Sequence, residues 1–283
     1  MARLGLGVGL TRRGGGGGGA AAFSFADYGT PTFVMDANRL NGTDLTTSTN
    51  SAGDVVTTWG NTLGAGYPYY NQPTVDSRPV LTETKPGIWS VNVGAKDSGG
   101  GADGVNHMKF WNAGAQVSAN LVDTHTFVIL YFEGAGAPGG RYLFGIENIS
   151  SNLQIGTDNT GKIRAVGAPS LWGNSLGGAT VMATGAWYLF EADLRESGTS
   201  TIRLNGSVED TTTTGQGSAI NVNVAMMGTD GSSRFFNLGG KFQFHVTYNI
   251  TPTADGGTGP LSSGDRAAIS DELMSRVNAL NAA

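Results

Sequence analysis

WYLFEADLRESGTSTIRLNG, Trp187 to Gly206, reads as two strands joined by a turn. Tyr188, Phe190, Ala192 and Leu194 alternate with Glu191, Asp193 and Arg195, and a period of two marks a strand with one apolar face. Ser197-Gly198-Thr199-Ser200 has the residues of a turn. After it Ile202 and Leu204 alternate with Arg203 until Asn205-Gly206 turns the chain again. A lone hairpin is marginal in water, so this one requires further strands to pair with and a core to cover.

The composition supplies both. A chain of 283 residues with 46 glycines, only 14% charged residues, and Thr, Asn and Ser between its apolar runs has the make-up of many short strands joined by tight turns. Lys and Arg total 17 against 22 Asp and Glu, a net charge of -5. That balance gives no electrostatic reason to expect a nucleic-acid partner, which would need clustered cations. Cysteine is absent, which excludes disulfides, thiol chemistry and a cysteine zinc site. No apolar run reaches the roughly 20 residues of a membrane-spanning helix.

Further strands are predicted at Phe33–Ala37, Val55–Trp59, around Trp89–Val93 and around Met108–Phe110. Phe127–Phe132 is apolar throughout, as in a central strand covered on both faces. Tyr142–Ile146, Leu153–Gly156, Ile163–Val166 and the alternating Ile220, Val222, Val224 and Met226 follow. Lys241–Asn249 places Phe242, Phe244, Val246 and Tyr248 on one face and Lys241, Gln243, His245 and Thr247 on the other. The chain then ends in a helix at about 262–282. Ser262 caps it, Asp265 stands three residues on, Ile269, Leu273, Val277 and Leu280 form its stripe, and Glu272 and Arg276 pair at i, i+4.

The order of the pieces Asp36-Ala37, Val56 to Trp59, Gln72 and Arg78-Pro79, with the closing Tyr248-Asn249 strand and the helix, resembles the concanavalin A-like, laminin-G-like jelly rolls common in bacterial and phage surface proteins. The resemblance covers about Phe33 to Leu280. It implies an all-β jelly-roll sandwich with a short C-terminal helix, preceded here by an extended glycine-rich arm. Residues 1–22 are read as anchor and tether and 23–283 as the sandwich; Asp97–Gly104 is an insertion relative to the family. In the arm Leu4, Leu6, Val8 and Leu10 alternate with glycine, and Gly14 to Gly19 follow. Bare glycine lets another backbone approach closely, so the arm is read as a strand-adding anchor to a partner.

Four sets of residues bear on function. Glu191, Asp193 and Glu196 have the Glu-x-Asp-x-x-Glu spacing seen in laminarinase-type glycosidases, whose retaining chemistry needs two carboxylates about 5 Å apart. In a regular strand Glu196 faces away from Glu191, so these acids are read as a solvated strand face and the chain as no enzyme, with a glycoside hydrolase as the alternative. His107, His125 and His245 share no metal-ligand spacing. Asp36, Asp54, Asp76, Asp97, Asp103, Asp158 and Asp230 stand in or beside loops, where calcium is possible, though no calcium-loop motif occurs and no cofactor is expected. Tyr67, Tyr69 and Tyr70 in a Gly/Pro loop, and Trp172 between strands, are the candidate carbohydrate-binding rings, because an aromatic face stacks on the apolar face of a sugar. Trp59, Trp89 and Trp187 are assigned to the core.

The resemblance and the arm together imply a virion structural protein of a phage or phage-like particle. It would be a spike or fibre subunit on the particle surface, joined to other virion proteins through the arm, homo-oligomeric, and bound to host-surface polysaccharide. A head-decoration or tail protein with no glycan ligand remains the alternative.

Overall fold

The computed structural model describes residues 23–42, 51–63, 67, 69–73, 78–92, 107–112, 115–116, 123–132, 141–145, 154–158, 160–166, 175–196, 198–215, 226–228, 240–249 and 261–282. The first strands are β1 (Pro31–Asp36), β2 (Thr58–Trp59), β3 (Tyr69–Asn71), β4 (Val80–Lys85), β5 (Ile88–Asn92), β6 (His107–Asn112), β7 (Ala115–Gln116) and β8 (Thr124–Phe132). They are followed by β9 (Arg141–Gly145), β10 (Gln154–Thr157), β11 (Lys162–Val166), β12 (Leu176–Val181), β13 (Ala186–Leu194), β14 (Ser200–Leu204) and β15 (Ser207–Thr212). Then come β16 (Met226–Gly228), β17 (Gly240–Asn249) and the helix α1 (Ser263–Asn281).

The strands form two antiparallel sheets. Sheet I runs β15-β14-β13-β8-β17-β5-β4, with β1 also paired to β17, and sheet II runs β12-β11-β10-β9-β16-β6-β3-β2, with β7 on β6. The two pack face to face as a jelly-roll sandwich around Val128, Leu130, Phe132, Phe190, Leu194 and Phe242 from sheet I and Trp59, Tyr70, Met108 and Ile163 from sheet II. A second core lies on the outer face of sheet I, where α1 seats Ile269, Leu273, Val277 and Leu280 against Phe127, Ile129, Trp187, Leu189, Phe244 and Val246. The molecule is thus layered as sheet, sheet and helix. β8 and β13 at the centre of sheet I are covered on both faces.

The opening hairpin forms as read, with Phe190 opposite Leu204 and Asp193 opposite Thr201. Asn205 and Gly206 take positive φ of 51° and 80°, which closes the tight turn into β15. Leu189, out of phase with the apolar alternation, belongs to the face under α1 and so is buried. Two asparagines extend pairing along β13 past the end of β14: Asn205 accepts from Leu189 N and donates to Leu189 O, and the Asn281 side chain does the same for Trp187.

In β17 the single apolar face is replaced by two. The register steps from Phe242 opposite Leu130 to Phe244 opposite Ile129, so Gln243 is bulged. Phe242 therefore faces sheet II, while Phe244, Val246 and Tyr248 face α1. The Val55–Trp59 strand shrinks to β2 plus an isolated bridge from Val55 to Val80. Tyr69 and Tyr70 stand in β3, not in a loop. Trp59, Trp89 and Trp187 are core residues, as read. The residues 4–10, 14–19, 97–104, 172 and 220–224 lie outside the described residues.

Helix α1 starts as predicted: the Ser262 hydroxyl accepts from Asp265 N at 3.0 Å and donates to the Asp265 carboxylate at 2.7 Å. Along one side of the sandwich the edge strand β12 is closed by side chains of β15. Glu209 accepts from Ala179 N and Thr180 N, each at 2.8 Å, and from the Thr180 hydroxyl, while Asp210 accepts from Gly177 N at 2.8 Å. Gly178 is needed there, since a Cβ would stand 2.7 Å from Ile163 Cγ1.

Candidate functional site

Of the four rings assigned to sugar binding, the structure brings together the three tyrosines of one short stretch and gives each a different environment. Tyr67 is exposed, at 37% of its surface, just before the sheet II strand β3. Tyr69 is partly buried and packs against the inner core. Tyr70 is fully buried, because β3 alternates it inward against Trp59, so its ring cannot reach a ligand outside the sandwich. Beside them Asn71 accepts a hydrogen bond from the Thr58 hydroxyl at 3.2 Å. Tyr67, with the outer part of Tyr69, is what this stretch exposes.

Tyr70 instead heads a polar chain through the sandwich. Its hydroxyl shares a hydrogen bond of 3.0 Å with His245 Nδ1, His245 Nε2 meets the Thr247 hydroxyl at 3.1 Å, and that hydroxyl meets Thr126 at 3.1 Å. Burial pushes the imidazole of His245 well below its ordinary range and the phenol of Tyr70 well above it, so both are neutral. Paired neutral groups of this kind fix the relative placement of the sheets. They present no reactive group to solvent.

The reading of the acidic strand as a solvated face fails at Glu191, while Glu196 is exposed and Asp193 part-exposed. Glu191 is fully buried because its parity in β13 is that of Trp187 and Leu189, the face that α1 covers. Its carboxylate accepts from His125 Nε2 at 2.8 Å, from Arg203 at 2.9 Å, and from Arg266 of α1 at 3.3 and 3.4 Å. Burial alone would raise its pKa. The hydrogen bond from His125 and the charges of His125, Arg203 and Arg266 outweigh that and hold it below the ordinary range. Asp193 pairs with Arg195, and exposed Glu196 donates its backbone N–H to Asp123. Fully buried under α1, the Glu191 carboxylate is out of a sugar's reach, so these three residues do not make a glycosidase pair. Glu191 instead fastens α1 to sheet I.

A second carboxylate does the same farther along the helix. Asp36 accepts from Arg276 at 3.0 Å, Arg276 also reaches Glu272 at 3.3 Å, and its guanidinium lies 4.8 Å from the Phe244 ring centroid. Asp36 is therefore taken up by the helix. Asp158 caps its own turn, accepting from Thr160 N, the Thr160 hydroxyl and Lys162 N. Asp54 accepts from Ser51 N. Among the described residues no three His, Asp or Glu side chains gather as metal ligands. Asp76, Asp97, Asp103 and Asp230 lie outside the described residues, as does Trp172.

No family model and no curated protein matches the sequence. Solved structures do match the fold. The botulinum neurotoxin serotype D binding domain is similar with a TM-score of 0.52 at 8% identity, over 88% of this chain and 53% of that one. Trypanosoma rangeli sialidase in complex with sialic acid is similar with a TM-score of 0.51 at 10% identity, over 96% of this chain and 36% of that one. The CBM40 of Ruminococcus gnavus IT-sialidase bound to α2,3 sialyllactose has a TM-score of 0.38 at 12% identity, over 48% of this chain and 80% of that one. The chain thus spans about half the length of the toxin domain and about a third of the sialidase. At such identities the likeness is one of fold: a β-sandwich.

Proposed function

We propose that this chain is a non-catalytic glycan-binding module, serving as a spike or fibre subunit of a phage or phage-like particle that is fixed to other virion proteins through residues 1–22. The observation that carries the binding reading is Tyr67, an exposed ring in the stretch that leads through partly buried Tyr69 to Asn71, itself bonded to the Thr58 hydroxyl. An exposed aromatic ring face is the usual equipment of a neutral sugar site. The fold agrees with it, since this shape recurs in about half of a toxin binding domain and about a third of a sialidase. The enclosure of Glu191 supports binding without turnover. Attachment to a particle rests on the sequence: an alternating Gly/Leu arm, a glycine tether, and resemblance to phage surface jelly rolls.

A head-decoration role with no glycan is the second reading, favoured by the burial of Tyr70, which leaves the tyrosine stretch one ring fewer. An array of bacterial surface polysaccharides, probed with the full chain and with a chain beginning at Phe23, separates the two. Retention of both chains without released oligosaccharide supports the binding module and assigns residues 1–22 to attachment. Silence from both chains supports decoration, and released product refutes the non-catalytic reading.

A further inference from the structure

Helix α1 closes the outer face of sheet I, whereas the outer face of sheet II carries part-exposed Thr58, Tyr69, Asn71, Lys162 and Arg164 and exposed Val181. Tyr70 turns inward, so its neighbours in β3, Tyr69 and Asn71, stand on that outer face, two residues and hence about 6.7 Å apart along the strand. Thr58 of β2 is the direct cross-strand partner of Asn71 and shares the face. Its hydroxyl donates to Asn71 Oδ1 at 3.2 Å, and this one bond orients both side chains. With Oδ1 engaged, the Asn71 amide directs its Nδ2 hydrogens away from that bond, and nothing among the described residues accepts them. The Thr58 hydroxyl, its hydrogen engaged by Asn71, keeps lone pairs for a donor. Tyr69 packs on one side against the inner core, which holds its ring in place.

A donor and an acceptor fixed side by side match two neighbouring hydroxyls of a sugar: one oxygen accepts from Nδ2, and the next hydroxyl donates to Thr58 Oγ1. Because Thr58 and Asn71 already hold each other, little side-chain freedom is lost when the sugar arrives. We infer that Thr58 and Asn71 form the polar half of a glycan subsite on sheet II that takes a sugar residue by its vicinal diol, with the ring of Tyr69 next along the strand. The inference rests on the glycan-binding reading and adds to it the part of the sugar that is recognised.

Calorimetric titration of the full chain with dextran, galactomannan and pullulan tests it, each polymer being used untreated and after periodate oxidation and borohydride reduction, which open vicinal diols. The same comparison is made on any arrayed polysaccharide that the parent retains. The expected result is that at least one untreated polymer binds and that its oxidised form binds about tenfold or more weakly. Asn71→Asp keeps the acceptor for Thr58 and removes the amide donor, while Thr58→Val keeps the branched shape and removes the hydroxyl. Each should lose about tenfold in affinity with an unchanged melting temperature. If either variant binds as the parent does, or if the oxidised polymer binds as the untreated one, the assignment fails while the Tyr67 reading stands. If no polymer and no arrayed polysaccharide is bound, both fail.

Discussion

Replacing Glu191 by glutamine keeps the shape of the side chain and removes its charge, and so isolates what fastens the C-terminal helix. In the folded protein the carboxylate is fully buried against His125, Arg203 and Arg266, while the two arginine side chains keep 16% and 22% of their exposure. Removing one partner of a fully buried ion pair costs about 3–5 kcal/mol. The arginines here can turn partly to water, so the expected loss is about 2–4 kcal/mol. With a urea slope of about 3 kcal/mol/M, the midpoint should fall by roughly 1 M. The loss should depend on pH. The carboxyl is held below its ordinary value of 4.5 in the folded state, so its contribution is present above that value and disappears as pH falls through the depressed one. The assay is urea unfolding of parent and Glu191→Gln followed by far-UV circular dichroism at several pH values. The double variant with Arg266→Met shows how much of the loss runs through α1. A midpoint within about 0.2 M of the parent at pH 7, or a difference that persists unchanged into acid, would refute the reasoning.

His245 gives a slope in another pH range: buried neutral, its imidazole resists a proton that the unfolded chain accepts below about 6.5, so stability should decline as pH falls below that value. The stability difference between parent and His245→Asn, measured by denaturant titration from pH 5 to 8, should be flat above about pH 7 and shift below it; a constant difference would contradict the burial argument. Glu209→Ala strips the acceptors from Ala179 N and Thr180 N on the edge strand β12. It should cost about 1–2 kcal/mol and raise self-association in light scattering, since an open edge pairs with other chains, and a monodisperse, equally stable variant would show that the edge needs no closure.

Much of this fold was legible where local signals were strong. The cap at Ser262, the stripe Ile269, Leu273, Val277 and Leu280, and the apolar run of β8 are written in periodicity, and the structure has all three. β12 and β15 were missed because LGGATV is too rich in glycine and SVEDTT too polar to alternate; as edge strands they are held by their neighbours and by the Glu209 contacts. The β17 bulge escaped because alternation assumes regular pairing, and Gln243 breaks it. Glu191 was misplaced because its burial depends on a helix about 75 residues later in the chain. A signal for it did exist: Trp187 and Leu189 share its parity, and a strand with apolar residues on both parities is covered on both sides. Tyr70 follows the same rule in small. Two adjacent tyrosines in a strand face opposite ways, so no more than one of them can serve the surface.

The central claim, that this sandwich binds a glycan through an exposed tyrosine and leaves it intact, meets its most direct test in the full-chain Tyr67→Ala variant. Binding isotherms are taken on whichever polysaccharide the parent retains, with reducing ends counted in the same samples. The account predicts a loss of about tenfold or more in affinity, an unchanged melting temperature, and no new reducing ends for either protein. Unaltered affinity, new reducing ends, or a parent chain that retains no polysaccharide would contradict it.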